Sequence, residues 1–185
     1  MRTFVAVPLE AGARSMLELL QRQLRAAGAD VRWTAVESIH LTLKFLGQVD
    51  PELVPRLAEM LRRACARQAC FALDLGGLGA FPGIKSPRVV WCGIQGDLEQ
   101  LRALQRRVEE TCLALGFPAE QREFRPHLTL GRVRGPRNLQ RLSECIRIGS
   151  ESRSRLPVDK FHVYRSTLTP HGAVYQVLET VALRV

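Results

Sequence analysis

Apolar and polar positions along this chain follow two periods, which predicts a mixture of helices and strands. Apolar positions at helical spacing predict helices over 11–27 and 97–115, with another opening at Pro51. Shorter apolar runs predict strands at 2–7, 31–33, 39–46, 70–78, 88–94, 127–133, 157–165 and 173–183. Loops are expected at 79–87, 116–126 and 149–156, and a short helix after Pro136. Because no linker divides the chain, we expect residues 1–185 to form one domain of two lobes.

A repeated tetrapeptide is the most informative feature of the sequence. His40-Leu41-Thr42-Leu43 recurs unchanged at 127–130, and each copy follows a predicted helix within a strand-like run. A single histidine in a strand is usually there for packing, and threonine suits strands for steric reasons alone. The repetition favours a functional role for both copies.

The strand period places the polar side chains of each copy together. His40 and Thr42 share one face of a strand, and the leucines, together with Phe45, take the other. The same alternation applies to His127 and Thr129. If the two lobes are related by a pseudo-twofold axis, both polar faces meet across a shared cleft.

Two imidazoles flanking one bound group suit acid–base chemistry at a phosphodiester. Histidine titrates near neutral pH, so one ring accepts the proton of the nucleophile while the other protonates the leaving oxygen. Threonine hydroxyls and nearby cations would bind the non-bridging oxygens. The sequence alone does not decide which ring is the acid.

Composition narrows the class of protein. The chain of 185 residues is 46% apolar, which excludes a disordered chain, and it carries a net charge of +9. No stretch is long and apolar enough for a membrane span, and we expect a cytoplasmic protein without a membrane partner. The positive charge favours nucleic acid as a partner, although it is spread along the chain and a general bias toward arginine is the alternative.

Metal and cofactor signals are weak. The five cysteines form no Cys-x-x-Cys pair and lie within apolar patterns, as expected of free thiols. None of the usual metal-binding motifs occurs, so we expect neither a metal nor another cofactor.

The paired motifs resemble the signature of the two-histidine (2H) phosphoesterase superfamily, which has one His-x-Thr-x motif in each half. The chain is most similar to the RNA 2′,3′-cyclic phosphodiesterase branch, also known as 2′-5′ RNA ligases. The resemblance is carried by RTFVAVPL at the start, HLTLKFLGQV at 40–49, FPGIKSPRVVWCGI at 81–94, PHLTLGRV at 126–133, and Ser166, Leu168, Pro170, Gly172 and Tyr175 near the end.

This resemblance implies an α+β fold with two pseudo-symmetric lobes, whose antiparallel sheets line a central groove. It implies hydrolysis of an RNA-terminal 2′,3′-cyclic phosphate to a 2′-phosphomonoester. By the same resemblance His40 is the proton donor to the leaving 3′ oxygen and His127 is the proton acceptor that activates water. We expect the protein to act as a monomer.

Four further residues are candidates for substrate binding. Arg132 follows His127 by five residues, at a position where members of the family that this chain resembles also carry arginine, and it suits a phosphate contact. Strict alternation puts Arg132 on the leucine face, unless a bulge intervenes. Lys44 falls on the His40 face, near a strand end. Phe81 and Tyr175 are candidates for stacking on bases, with core packing as the alternative.

Several other functions stay open at this point. The same site would support 2′-5′ ligation if an RNA hydroxyl replaced water, and another branch of the superfamily acts on small cyclic nucleotides. A non-catalytic RNA-binding module is a different class of function. A zinc hydrolase would need three of the four histidines, which include His162 and, in a predicted turn, His171.

Overall fold

The structure is a computed structural model that describes residues 1–170 and 172–184, so His171 lies outside the described residues. Within these residues the fold has nine strands and four α-helices. The strands are β1 (Arg2–Val7), β2 (Val31–Trp33), β3 (Leu41–Gln48), β4 (Phe71–Phe81), β5 (Val89–Gly96), β6 (His127–Val133), β7 (Arg153–Val158), β8 (Lys160–Thr169) and β9 (Gly172–Ala182). The helices are α1 (Ala11–Arg25), α2 (Val54–Cys65), α3 (Leu98–Ala114) and α4 (Leu139–Ile148).

The strands form two antiparallel sheets, as the α+β prediction requires. The first sheet has the order β3-β1-β8-β9, and the second has the order β2-β6-β5-β4-β7. The strand after His40 is an edge of the first sheet, and the strand that begins at His127 lies inside the second. Each sheet therefore carries one copy of the repeated motif.

The chain passes between the sheets rather than completing one and then the other. The first sheet joins two strands from the beginning of the chain to β8 and β9 near its end, whereas β2 belongs to the second sheet. Helices α1 and α4 pack against the second sheet, and α2 and α3 pack against the first. The two sheets are therefore not formed by contiguous halves of the sequence.

Helix α1 is held by the apolar stripe that its periodicity predicts, and α2 is held by a similar set of buried side chains. The buried side chains of α1 include Ala13, Met16, Leu17, Leu20 and Leu24. Those of α2 are Val54, Leu57, Ala58, Leu61 and Cys65. No helix within the described residues is both long enough and apolar enough to cross a membrane.

Three predictions about the strands are wrong. The single strand expected at 157–165 is divided, because its first two residues end β7 in the second sheet and residues 160–165 belong to β8 in the first. Residues 79–81 were expected to be loop but extend β4, and residues 153–156 were expected to be loop but belong to β7. Because β7 is an edge strand, it buries little beyond Leu156 and Val158, and its other positions are polar or, at 157, proline. A strand with so few apolar positions has no clear signal in the sequence.

Candidate active site

Both copies of the motif line one cavity of about 820 Å³. The side chains of His40 and Thr42 reach it from the first sheet, and those of His127 and Thr129 reach it from the second. The alternation argument placed each histidine with its threonine on one face of a strand. The structure brings both pairs to the same space.

A β-bulge lies at the last residue of each motif. Between β1 and β3 the pairing passes from Thr42 to Lys44 and leaves Leu43 as the extra residue. Between β5 and β6 it passes from Thr129 to Gly131 and leaves Leu130 as the extra residue. A bulge shifts the alternation of side chains by one, so both strands change face three residues after their histidine.

The second bulge turns Arg132 toward the cavity, as a phosphate contact would require. Arg132 lines the cavity and its side chain is exposed. In the first motif the corresponding residue is Phe45, which lines the cavity with 65% of its surface exposed. Strict alternation had placed Phe45 on the leucine face, so the sequence argument missed it. Its position five residues after the histidine, like that of Arg132, was the available signal.

The two histidines are oriented by the same backbone contact. Nδ1 of His40 lies 2.9 Å from the carbonyl oxygen of Ser38, and Nδ1 of His127 lies 2.7 Å from that of Arg125. A carbonyl oxygen only accepts hydrogen bonds, so Nδ1 must carry the proton in each ring. Nε2 is therefore the nitrogen that exchanges protons, and the neutral ring offers its lone pair there.

His40 is packed among aromatic side chains of the first sheet. Its ring stacks on Phe4 with the centroids 4.5 Å apart, and Tyr175 meets it edge-on at 5.0 Å. Burial disfavours the imidazolium and lowers the pKa of His40 from 6.5 to about 4, although the hydrogen bond to Ser38 acts in the opposite direction. His40 is therefore neutral at pH 7 in the free protein.

His127 has its own aromatic neighbours in the second sheet. Phe81 meets the ring edge-on at 5.0 Å, and Trp91 lies 6.5 Å away. The indole of Trp91 lies over Gly79 so closely that a Cβ there would overlap its six-membered ring. Glycine at 79 therefore leaves room for Trp91 beside Phe81, whose ring lies 5.3 Å away and is tilted by 39°. The two rings together fix one side of His127.

Tyr175 is placed where both sheets meet. Burial raises the pKa of its phenol, and the charges of Arg2 and Arg132 act in the opposite direction. Arg2 belongs to the first sheet and Arg132 to the second. Tyr175 thus contacts the His40 ring at one side and lies close to the cationic part of the cavity.

Lys44 lines the cavity, but its ammonium group is already bound to other residues of the protein. Because of the bulge it is buried, and its ammonium group lies 2.8 Å from both carboxylate oxygens of Glu109 and 2.9 Å from the carbonyl oxygen of Pro118. These three acceptors use all three N–H groups of the lysine. A contact between Lys44 and a substrate phosphate does not fit this arrangement.

The Lys44–Glu109 pair holds the loop that leads to His127. One oxygen of Glu109 also accepts a hydrogen bond of 2.9 Å from the backbone N–H of Glu120. The same loop continues to Arg125, whose carbonyl oxygen orients His127. The pair therefore connects β3 of the first sheet to the backbone that positions the second histidine.

Metal-ligating side chains are not clustered in the described part of the chain. Among residues 1–170 and 172–184, no group of three or more His, Cys, Asp and Glu side chains is placed to hold a metal ion. The five cysteines are free thiols, and burial raises the pKa of Cys65 to about 11 and that of Cys92 to about 12.

The lowered pKa of His40 predicts a pH-dependent stability. Between pH 6.5 and about 4 the unfolded chain binds a proton at this residue that the folded protein does not, so the free energy of unfolding falls as the pH falls. Between about pH 7.5 and pH 5 we expect wild type to lose roughly 2 kcal/mol more than His40→Asn does. Urea unfolding at both pH values measures the difference. An equal loss in the two proteins would contradict the burial argument.

The fold and the paired motifs define a protein of the two-histidine phosphoesterase class. The family model of the 2′-5′ RNA ligase superfamily matches residues 12–169, and the chain belongs to this family. It is 35% identical over 183 residues to a protein of Methanothermobacter thermautotrophicus named RNA 2′,3′-cyclic phosphodiesterase, with 98% of each chain covered. A Thermotoga maritima protein of the same name is 34% identical over 179 residues, with 96% of this chain and 93% of the relative covered.

Solved structures show the same fold. The TT0787 protein of Thermus thermophilus superposes with a TM-score of 0.77 at 30% identity, with 100% of this chain and 98% of that chain covered. LigT of E. coli in complex with 3′-AMP superposes with a TM-score of 0.75 at 27% identity, with 98% and 97% covered. These similarities confirm the predicted fold class and family.

Proposed function

We propose that this protein hydrolyses the 2′,3′-cyclic phosphate at the end of an RNA to a 2′-phosphomonoester, without a metal ion. The observation that carries the proposal is the convergence of His40 and His127 on one cavity, each with Nδ1 bound to a backbone carbonyl. Relatives at about 35% identity bear the name of this activity. Two such nitrogens can serve as the general base and the general acid of the reaction.

The cyclic phosphate would bind between the two histidines. The hydroxyls of Thr42 and Thr129 line the same cavity and donate to the non-bridging oxygens, which gain negative charge as the nucleophile adds. Arg132 adds a guanidinium group suited to phosphate. These three side chains stabilise the transition state more than the substrate, because the charge on the oxygens is larger there.

The reaction transfers two protons, one from water to His127 and one from His40 to the leaving oxygen. His127 takes a proton from water at Nε2 as the water oxygen forms a bond to phosphorus. The bond between phosphorus and the 3′ oxygen breaks, and His40 gives its Nε2 proton to that oxygen. The product keeps its phosphate on the 2′ oxygen, and exchange with solvent restores both rings. The assignment of His40 as the acid and His127 as the base follows the family resemblance.

The low pKa of His40 fits the role of acid once the substrate is bound. In the free protein the ring is neutral at pH 7 because burial disfavours its charged form. A phosphate anion about 4 Å away stabilises the imidazolium by roughly 4 kcal/mol at an effective dielectric constant near 20, which is about three pKa units. The anion would thus bring its own proton donor into the charged form.

Aromatic side chains would bind the nucleoside. Tyr175 and Phe81 contact the two histidine rings, and Phe45 is exposed beside them. An exposed aromatic ring next to a phosphate site is suited to stacking on a base. We assign Tyr175 and Phe81 to the walls of the site. Phe45 is assigned to stacking on the nucleobase.

Ligation is the second candidate, because the matching family is described as a 2′-5′ RNA ligase superfamily. A 5′ hydroxyl of a second RNA would then attack phosphorus in place of water, with the same two proton transfers. Water is present at far higher concentration than any RNA end, which favours hydrolysis.

An RNA oligonucleotide with a 2′,3′-cyclic phosphate, incubated with EDTA, tests the proposal. We expect a 2′-phosphomonoester, identified by phosphorus NMR, and a bell-shaped dependence of kcat/KM on pH. A 3′-phosphomonoester would reverse the assigned leaving group, and inactivation by EDTA would contradict metal-independent catalysis. A 5′-hydroxyl RNA added in excess measures the share of ligation. Tight binding without turnover would indicate an RNA-binding module instead.

A further inference from the structure

A second arginine, Arg32, lies directly opposite Arg132 in the second sheet. Strands β2 and β6 are antiparallel, and their register pairs Arg32 with Arg132 and Trp33 with Gly131. Side chains that are directly opposite in antiparallel strands leave the sheet on the same face, with their Cβ atoms about 5 Å apart. Because Arg132 lines the cavity, Arg32 extends from the same face one strand farther out.

The position of its guanidinium group places Arg32 at the opening between the sheets. Its Nη2 atom lies 3.5 Å from the point where a Cβ on Gly172 would stand. Gly172 begins β9 of the first sheet, three residues before Tyr175. The side chain of Arg32 therefore reaches from the second sheet to the first. It lies beside the part of the cavity that Arg132 and Tyr175 line.

The two arginines carry charge that the described chain does not neutralise. Like charges directly opposite each other in a sheet are destabilising. The ion pairs among residues 1–170 and 172–184 involve neither Arg32 nor Arg132, and both side chains are exposed. An anion bound between them would offset this repulsion, and phosphate matches the fork of donors on each guanidinium.

We propose that Arg32 forms a second phosphate-binding position, which holds the phosphodiester one nucleotide upstream of the cyclic phosphate. The inference rests on the proposed function, because it takes the cyclic phosphate to lie between the two histidines. Arg132 then lies between the reacting phosphate and the upstream one. The enzyme consequently distinguishes an RNA end from a cyclic mononucleotide by the additional negative charge.

A comparison of three substrates distinguishes the contact of Arg32 with the upstream phosphodiester from the opening of the cyclic phosphate. They are adenosine 2′,3′-cyclic phosphate, the diadenosine dinucleotide that ends in the same cyclic phosphate, and that dinucleotide with an uncharged methylphosphonate at its internal linkage. We expect wild type to prefer the charged dinucleotide by about tenfold in kcat/KM over the other two. Arg32→Gln should lose that preference while its kcat/KM for the mononucleotide stays within about twofold of wild type.

Arg56→Gln is the matched control, because Arg56 is an exposed arginine on α2, which packs against the first sheet away from β2. It removes the same charge and should behave as wild type with all three substrates. Because Arg32 is exposed, its variant should unfold within about 0.5 kcal/mol of wild type, which urea unfolding checks.

Two kinetic results would overturn the upstream site. One is an unchanged preference in Arg32→Gln, and the other is an equal loss of kcat/KM for the mononucleotide and the dinucleotide. Failure of the proposed function is a separate result, because wild type would then open none of the three cyclic phosphates. Fluorescence anisotropy with a labelled trinucleotide 2′-phosphate still tests the contact in that case. Equal affinity of wild type and Arg32→Gln for this probe would overturn the site.

Discussion

Replacing either His40 or His127 with asparagine is expected to lower kcat by about 10²–10⁴-fold, with little change in KM. Asparagine keeps an N–H that can donate to the carbonyl oxygen of Ser38 or Arg125, so the local backbone contact can persist. What it removes is the Nε2 atom that would transfer the proton. Steady-state kinetics on an RNA with a 2′,3′-cyclic phosphate measure the loss.

His162→Asn serves as the control for this experiment. His162 lies on β8, its Nδ1 is 3.0 Å from the hydroxyl of Thr180, and it does not line the cavity. Its variant should keep kcat within about twofold of wild type. If His40→Asn or His127→Asn kept more than about a tenth of the wild-type kcat, the proton-transfer role of that histidine would be wrong.

Lys44→Met is expected to lower the free energy of unfolding by about 3 kcal/mol. The substitution leaves the carboxylate of Glu109 largely buried beside β3 without its cation, since the two side chains are 2% and 18% exposed. It also removes the hydrogen bond to Pro118. Urea unfolding near pH 7 measures the loss.

Two companion variants show whether the buried pair is the cause. Arg63→Met breaks an exposed pair with Glu59, with side chains 78% and 58% exposed, and should cost less than about 1 kcal/mol. The double variant Lys44→Met, Glu109→Leu removes both charges and should recover most of the loss. Equal effects of Lys44→Met and Arg63→Met would contradict the argument, as would a double variant no more stable than the single one.

The part of the site that could be predicted is the part that depends on local spacing. Two copies of His-Leu-Thr-Leu fix which side chains share a face of their strand, and the structure brings both pairs to one cavity. The helical stripes and most strands follow from the same periodicities. These features need only information from a few neighbouring residues.

The part that could not be predicted depends on partners far along the chain. The bulge at Leu43 exists because β1 pairs across it, and it reverses the places of Lys44 and Phe45. Lys44 finds its carboxylate 65 residues away, on α3. No local sequence pattern predicts the bulge at Leu130. The sequence argument could say only that Arg132 needs a bulge there to face the cavity.

The crossing of the chain between the sheets has a consequence for biosynthesis. Both histidine motifs leave the ribosome well before β8 and β9, yet Tyr164 and Tyr175 on those strands complete the aromatic packing around Phe4 and His40. Until they arrive, β1 has a partner on one edge only. A nascent chain that already contains both histidine motifs therefore lacks part of the aromatic packing around His40, which is completed only with the last strands.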